Sequence, residues 1–502
     1  MGQLGEERAS VTAVSPSQGY ADGISSSSAV REDHGWFQIF VSAVRPSHVP
    51  DITVTHNLNS YKKIPKVNNR YRPGVTVVSD HRHLERLAQK GTKVLGIIAD
   101  DFTGASDVAT MLRRSGHRVT VVIEDGTLTS EQLAEVDAVV VALQSRSGSK
   151  DAAVAASLDA VRRLRVWGAS RFYVKYCSTF DSTAGGNIGP VLDAVTAELG
   201  VKRCVVVPSL PANHRTVYNG HLFVGGELLE NSSMRHHPLT PMTRSRVADL
   251  LRPQTAHPVG EVMRETVRTG QTALRSAIDA AEARYVVVDA IDDEDLAIIG
   301  AATADDLLVS GGSGLALGIT GPGKTAASWT PPPRGRGAVL CGSVSRATLA
   351  QVAHAARTQP VRQIDIHAAI ADPAAVASEL AAWVAAQPSD STPVVCAARD
   401  RNDVRPRVDD VETAPLIERV LTQTASHLIA DGTLSGLIVA GGETSGAVVR
   451  GLDIQSLQIG PELAPGVCWS AARVGGRTVA LALKSGNFGD NDIFTSAWER
   501  LT

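Results

Sequence analysis

The chain has 502 residues, 43% of them hydrophobic and 20% charged, which suits two to four domains with sizeable buried cores rather than a disordered polymer. Its formal net charge of −3, carried with 39 Arg but only ten Lys, argues against a basic nucleic-acid-binding surface. Five widely spaced cysteines (Cys177, Cys204, Cys341, Cys396 and Cys468) show neither CxxC nor zinc spacing, no apolar run approaches the roughly 20 residues of a membrane span, and the N-terminus lacks a signal-peptide layout. The expectation is a cytoplasmic protein with reduced thiols, no metal-ligand set, no nucleic-acid partner and no membrane partner.

Residues 1–92 differ in texture from the rest. They carry the Ser-rich run ISSSSA (24–29), scattered Pro and mixed charges, and only short pieces such as Trp36–Val41 and Val75–Val78 look strand-like. This stretch reads as a poorly structured N-terminal extension, or as an over-long start with translation beginning near Val94, and no chemistry is assigned to it.

From Val94 onward, β-branched runs alternate with helical patterns: VLGII (94–98), RVTVVI (118–123), DAVVVAL (137–143), FYVKY (172–176), CVVVP (204–208) and YVVVDA (285–290). Continuous apolar runs of this length predict parallel strands buried on both faces. Helices are expected at Ala105–Ser115, Ala152–Leu164 and Ile188–Leu199, the last with Pro190 in its opening turn, where a missing N–H is tolerated. A Gly- and Pro-rich stretch, 318–337, reads as a linker. A second α/β series follows, with AVLCGS (338–343), PVVCAA (393–398), GLIVAGGETSG (436–446) and VALALKSGNFG (479–489). The expected architecture is therefore α/β: two domains with mainly parallel sheets, residues 93–317 and 338–502, with an active site in the cleft between them.

Gly318, Gly323, Lys324 and Thr325 satisfy G-x-x-x-x-G-K-T literally, yet three prolines at 331–333 leave at most about a turn of the helix a phosphate loop requires. The linker reading is preferred. Three other segments put small, N–H-rich backbone directly after an apolar run, at the strand end where open α/β sheets bind ligands. These are Cys341-Gly342-Ser343-Val344-Ser345, Gly441-Gly442-Glu443-Thr444-Ser445-Gly446, and Lys484-Ser485-Gly486-Asn487-Phe488-Gly489-Asp490. Singly each is an ordinary capped turn; all three in one domain point to a nucleotide. None is G-x-G-x-x-G followed by an acid about twenty residues on, so a dinucleotide site finds little support.

In the first series, Asp100 and Asp101 end the first strand. Asp101 competes for two jobs, helix N-cap or a base for a substrate hydroxyl, and Thr103 could equally be the cap. Arg146 ends the third strand and could present a guanidinium to an anion. The run Lys175-Tyr176-Cys177-Ser178-Thr179-Phe180-Asp181-Ser182-Thr183 is too polar for packing alone, and Lys175 is the only lysine between Lys150 and Lys202. Cys177 has no obvious His partner, and the tandem His236-His237 has no third metal ligand. Together these groups make an anion-friendly, hydroxyl-rich site suited to a small sugar acid.

The segments GIIADDFTGASD (96–107), ALQSRS (142–147), KYCSTFDSTAGGNIGP (175–190), GHLFVGGELL (220–229), HHPLTPM (236–242), GGSG (311–314), GGETSG (441–446), APGV (464–467) and LALKSGNFG (481–489) resemble the four-carbon acid sugar kinase family, most closely its 3-oxo-tetronate branch. The resemblance spans about four-fifths of the chain and leaves residues 1–92 uncovered. It implies a sugar-acid-binding domain, then a nucleotide-binding domain, and ATP-dependent phosphorylation of the 4-hydroxyl of 3-oxo-tetronate (3-dehydro-erythronate). The ATP positions it implies are Ser343, Gly441, Gly442, Glu443, Thr444 and Gly486, with Mg2+ as the companion ion. Cys341 departs mildly from the small residue, such as Ser, common in relatives. On this reading Asp101 orients the attacking hydroxyl and accepts its proton, with Asp100 or Asp181 as alternatives, while Arg146, Lys175, Ser178, Thr179, Asp181 and Ser182, beside Asp100, grip the substrate. A threonate or erythronate kinase and a non-catalytic sugar-acid sensor are the alternatives. Oligomeric state is left open.

Overall fold

A computed structural model describes residues 25–32, 35–42, 94–237, 240–323, 329, 331–333 and 335–501. The chain divides into two compact units, 1–78 and 79–502. Within the first, strands β1 (Ser25–Glu32) and β2 (Gly35–Ser42) pair antiparallel, in register from Ser25↔Ser42 to Glu32↔Gly35. The Trp36–Val41 stretch lies in β2; the Ser-rich run, to which composition gave no element, supplies much of β1, since a hairpin partner satisfies its backbone. Val75–Val78 lies outside the described residues.

The second unit holds the other strands among the described residues: β3 (Val94–Ala99), β4 (Val119–Ile123), β5 (Ala138–Ala142), β6 (Ala169–Lys175), β7 (Cys204–Val207), a small three-stranded sheet of β8 (Arg215–Tyr218), β9 (His221–Val224) and β10 (Glu227–Leu228), then β11 (Val259–Val262), β12 (Tyr285–Val288) and β13 (Leu308–Gly311). After 337 come β14 (Gly337–Cys341), β15 (Val361–Gln363), β16 (Val394–Cys396), a hairpin of β17 (Arg407–Val408) and β18 (Val411–Glu412), β19 (Gly436–Ala440), β20 (Ser456–Ala464), β21 (Val467–Val474) and β22 (Arg477–Lys484).

Fifteen of these form one sheet, in the order β11-β12-β7-β13-β6-β3-β5-β4-β20-β21-β22-β19-β14-β16-β15. The first eight are all parallel, as are the last five. This is the α/β, mainly parallel architecture that the apolar runs predict. Between the two parallel sets lies an antiparallel ribbon, β20–β21, whose β20 pairs antiparallel with β4 (Leu457↔Val121). The sequence reading did not foresee the ribbon. Its residues mix polar and apolar positions, and their pairing depends on β4, more than 300 residues earlier.

The strands are covered by helices whose boundaries follow local chemistry. Phe102–Arg114 begins at Asp101, whose extended backbone and side-chain oxygen cap Gly104 N–H at 2.9 Å, and it ends with Arg113 and Arg114 on its negative pole. Lys150–Val166 is capped by Ser149, Arg346–Ala355 by Ser345, and Ile188–Leu199 carries Pro190 in its first turn. The C-terminal end of the first of these is tied to the ribbon: Arg114 Nε and Nη2 reach the Glu462 carboxylate at 2.5 and 2.6 Å, and Arg113 donates to the Ile459 carbonyl at 3.3 Å. Gly314–Gly318, ahead of the phosphate-loop lookalike, is a short 3-10 turn; Lys324 and Thr325 lie outside the described residues.

Candidate active site

Three adjacent parallel strands set the acidic half of the site. Register pairs Ala99 of β3 with Ala142 of β5 on one side and Lys175 of β6 on the other, so the residues that follow emerge at one level. Asp100 leaves β3 with its N–H on the Lys175 carbonyl and its own carbonyl accepting from Ser145 and Arg146 N–H at 3.0 and 3.1 Å. The Arg146 guanidinium then turns back. Its Nε and Nη2 donate to Asp100 Oδ2 and Oδ1, each at 2.8 Å, and Nη2 also reaches Asp101 Oδ1 at 2.7 Å. A planar fork on a carboxylate is the geometry arginine provides and lysine does not.

Burial acts to raise the Asp100 carboxyl, but Arg146, with Lys175 behind it, outweighs that and holds it below the usual carboxylate range. Burial works against the Arg146 charge too, yet the two aspartates keep it well above its ordinary value. Lys175 is almost fully enclosed, with Nζ 3.9 Å from Asp101 Oδ1. Its ammonium lies against the backbone of Gly104, where a Cβ would collide with Nζ. Asp107, farther along the same helix, has Oδ1 enclosed without a hydrogen-bond partner, and burial pushes its carboxyl up, against the pull of Lys175.

The polar run after Lys175 divides. Asp181 accepts from the Thr240 hydroxyl and lies 3.8 Å from His237 Nδ1; burial raises its carboxyl, while Arg146 and His237 pull it down. Ser178 is half-buried. Thr179 is buried with its hydroxyl 3.0 Å from Cys177 Sγ. Ser182 turns away from this group: it is buried and donates to Gln254 Oε1 at 3.1 Å.

Sequence reasoning missed His237 and Thr240 as neighbours of Asp181. It also missed Asn187, whose amide donates to the carbonyls of Ser145, Arg146 and Gly148 at 2.7, 3.2 and 3.4 Å and so fixes the Arg146 loop. Asn187 stands in the GNIGP segment, but only the tertiary fold reveals its partners.

The glycine turns form the other half by the same logic of register. Cys341 of β14, Ala440 of β19 and Lys484 of β22 are level. Gly342 and Ser343 N–H both donate to the Ala440 carbonyl at 3.0 Å, and Gly441 N–H to the Lys484 carbonyl at 2.9 Å. Gly441 has φ +131, a conformation L side chains rarely adopt, and a Cβ there would lie 2.8 Å from Thr444 Oγ1 and 3.2 Å from Ser343 N. The Gly486 carbonyl accepts from Ser345 and Thr348 hydroxyls at 2.6 and 2.8 Å, and a Cβ on Gly486 would collide with Ser343 Oγ. The GGETSG segment is itself the first turn of the helix Gly442–Gly451, with Glu443 exposed and Thr444 buried.

These turns border a cavity of about 780 Å³ lined by Ser343, Gly441, Gly442, Glu443, Thr444 and Gly486 on one side. Its other walls bring the apolar Ile366, Ala397, Val404 and Ile417, with Arg405 and Arg407 near the β17–β18 hairpin. A second cavity of about 650 Å³ is lined by Asp100, Asp101, Thr103 and Arg146 from the first series and by Glu418, Glu443 and Arg450 from the second. The two share Glu412, Ala414, Glu418, Gly442 and Glu443. Burial, then the nearby Glu443 charge, pushes the Glu418 carboxyl up. Among the described residues no cluster of three His, Cys, Asp or Glu forms a ready metal-ligand set. No described helix is long and apolar enough to cross a membrane.

An acidic, arginine-clamped pocket thus adjoins a pocket rimmed by glycine turns and a helix N-terminus. Residues 95–319 match the model of a sugar-binding N-terminal domain, and residues 338–494 that of a nucleotide-binding C-terminal domain. Over 80% of its length the chain is 41% identical to the 3-oxo-tetronate kinase of Brucella melitensis biotype 1, covering 94% of that protein. The chain belongs to the 3-oxo-tetronate kinase family. The 3-oxo-tetronate kinase of Pectobacterium atrosepticum is likewise 41% identical over 80% of this chain and 98% of its own. A solved Haemophilus influenzae structure shares the fold with a TM-score of 0.72 and 38% identity, over 81% of this chain and all of that one. A 3-oxo-tetronate kinase family implies a phosphotransferase working on a nucleotide and a small-molecule acceptor.

Proposed function

We propose that this chain is an ATP-dependent kinase that phosphorylates the 4-hydroxyl of 3-oxo-tetronate. One observation carries the reading: the cavity beside the Asp100–Asp101–Arg146 cluster and the cavity beside the Gly441–Thr444 turn share walls, in a chain 41% identical to named 3-oxo-tetronate kinases. Residues 93–317 would form the sugar-acid domain and 338–502 the nucleotide domain, joined by 318–337, with 1–92 outside both. The active site would be the cleft where the two cavities meet, in a cytoplasmic protein whose five thiols are all unpaired.

Phosphoryl transfer demands alignment and charge neutralisation more than covalent chemistry. Backbone N–H groups of Gly442 to Thr444, at a helix N-terminus, suit the phosphates of ATP, as does the Ser343 hydroxyl beside Gly486. The apolar wall of Ile366, Ala397, Val404 and Ile417 suits the base. Mg2+ would be held by Glu443 and Glu418 together with the phosphates, consistent with an ion that keeps its waters and takes only one or two carboxylates; when bound it neutralises phosphate charge.

On the acceptor side, Asp101 orients the attacking hydroxyl and receives its proton. Arg146, Lys175 and Asp181, with Ser178 and Thr179 nearby, fix the carboxylate and remaining oxygens of the sugar acid, and Asp100 holds Arg146 in place. Ser182 supports the loop through Gln254 instead of touching substrate. Closure of the two halves would exclude water and suppress ATP hydrolysis.

The decisive experiment is ADP release with Mg·ATP and a panel of 3-oxo-tetronates, threonates and erythronates. Turnover confined to the 3-oxo acids is expected. Turnover only with the non-oxidised acids would keep the kinase and overturn the substrate, and tight sugar-acid binding with no turnover would make the chain a sensor.

A further inference from the structure

Lys484 ends β22 directly beneath the glycine turns, and it is 1% exposed. Its Nζ donates to Thr348 Oγ1 at 3.2 Å and to the Gly486 carbonyl at 3.3 Å. The same carbonyl accepts from Ser345 and Thr348, so the ammonium belongs to the hydrogen-bonded knot that holds Gly486 against Ser343. A buried charge is ordinarily paired with an opposite one. Lys484 is not: no described carboxylate lies within ion-pair distance, and the face of Phe494 lies 5.8 Å from Nζ. The elements packed around it bring Cys341 from β14, Ala440 from β19, Thr348 from the helix Arg346–Ala355 and Phe494 from the short helix Ile493–Ser496. Of these only the Cys341 thiol titrates, and burial pushes that thiol well up, which keeps it neutral.

We infer that Lys484 is the resident counter-charge of the nucleotide phosphates, acting through the Gly486–Ser343 turn as a positioning residue. The inference rests on the nucleotide reading above and adds a partner that would complete it: an unpaired cation under the turn is neutralised only when a polyanion settles on the other side. Burial lowers the Lys484 ammonium to about 8. A bound polyphosphate would restore its charge, so ATP binding above that pH must take up a proton.

The test is calorimetric titration of ATP into the full chain, in buffers of contrasting ionisation enthalpy, near pH 7 and near pH 9. The wild type is expected to take up little proton at the lower pH and most of one proton at about pH 9. Lys484→Gln should abolish that uptake and weaken ATP about tenfold or more. Lys484→Arg, permanently charged, should keep most of the affinity while also losing the uptake, and it tells charge from mere packing should the glutamine variant fold poorly. ATP binding with equal uptake in wild type and Lys484→Arg, or with none in either, overturns the role of the lysine and leaves the kinase reading intact. No ATP binding by the wild type removes the nucleotide site and this inference together.

Discussion

The Arg146 guanidinium closes on both oxygens of Asp100, Nε to Oδ2 and Nη2 to Oδ1, each at 2.8 Å. The pair fixes where the acidic doublet points, because the Arg146 loop is itself held by Asn187 and by the Asp100 carbonyl. Asp100 is favoured in its charged form within the fold. The stability it adds is therefore complete above the ordinary carboxylate value near 4 and is lost as pH falls through the depressed folded value. Arg146→Met leaves the carboxylate buried without its partner. It should cost about 3 kcal/mol at neutral pH and move acid unfolding to higher pH. Acid titrations of unfolding by circular dichroism check this, and an unchanged midpoint would show that the pair does not govern the charge of Asp100.

Asp101 both caps the helix Phe102–Arg114 and faces the cavity shared with Glu443. Asparagine caps helices about as well as aspartate, so Asp101→Asn separates the two roles. The cap is kept but the charge facing Arg146 and Lys175 is lost, so stability should fall by about 1–3 kcal/mol, while kcat falls about 10²- to 10⁴-fold with substrate still bound. Near-full turnover in this variant would assign proton acceptance elsewhere, with Asp181, whose carboxyl is raised by burial, the next group to examine.

Gly104 is required by its neighbours rather than by its own backbone, since a Cβ there would collide with both Lys175 Nζ and Asp101 Oδ1. Alanine is the better helix former by roughly 1 kcal/mol, so a propensity argument favours Gly104→Ala. The structure predicts the opposite for function: displacement of the ammonium and of the Asp101 carboxylate should raise KM for the sugar acid about tenfold or more and lower kcat, while leaving ATP affinity intact. Paired KM measurements decide, and an unaltered acceptor KM would mean that Lys175 has room to move or no part in binding.

What the sequence exposed follows from how local each signal is. The strands VLGII, CVVVP and GLIVA are legible because full burial on both faces demands an unbroken apolar run, and the start of Ile188–Leu199 because Pro190 marks its opening turn. The residues after a strand end are also local, which brought Asp100, Arg146, Lys175 and the three glycine turns into view. Side-chain direction is not local. Ser178 and Ser182 look alike in a run of hydroxyls, yet Ser182 faces Gln254, 72 residues away. Asn187, His237 and Thr240 acquire meaning only from partners across the fold. The ribbon β20–β21 was hidden for a related reason: its neighbour β4 belongs to the other half of the chain.

Lys484 predicts a stability profile as well as a binding one. Its folded value, lowered to about 8 by burial, lies below the 10.5 of a free lysine, so the unfolded chain binds the extra proton between those two values. Stability then rises with pH across that window, and the penalty for burying the charge is fully present below it. At about 1.4 kcal/mol per pH unit the penalty in the ligand-free protein is on the order of 3 kcal/mol. Lys484→Met, which keeps the length and removes the charge, should accordingly unfold later than wild type in denaturant near pH 7, after allowance for the lost hydrogen bonds to Thr348 and Gly486. The gap between the two proteins should narrow steadily from about pH 8 to pH 10 as the wild-type lysine discharges. Saturating ATP should reverse the order near pH 7, because only the wild type gains the counter-charge. A gap independent of pH would mean that the charge of Lys484 is already compensated in the free protein.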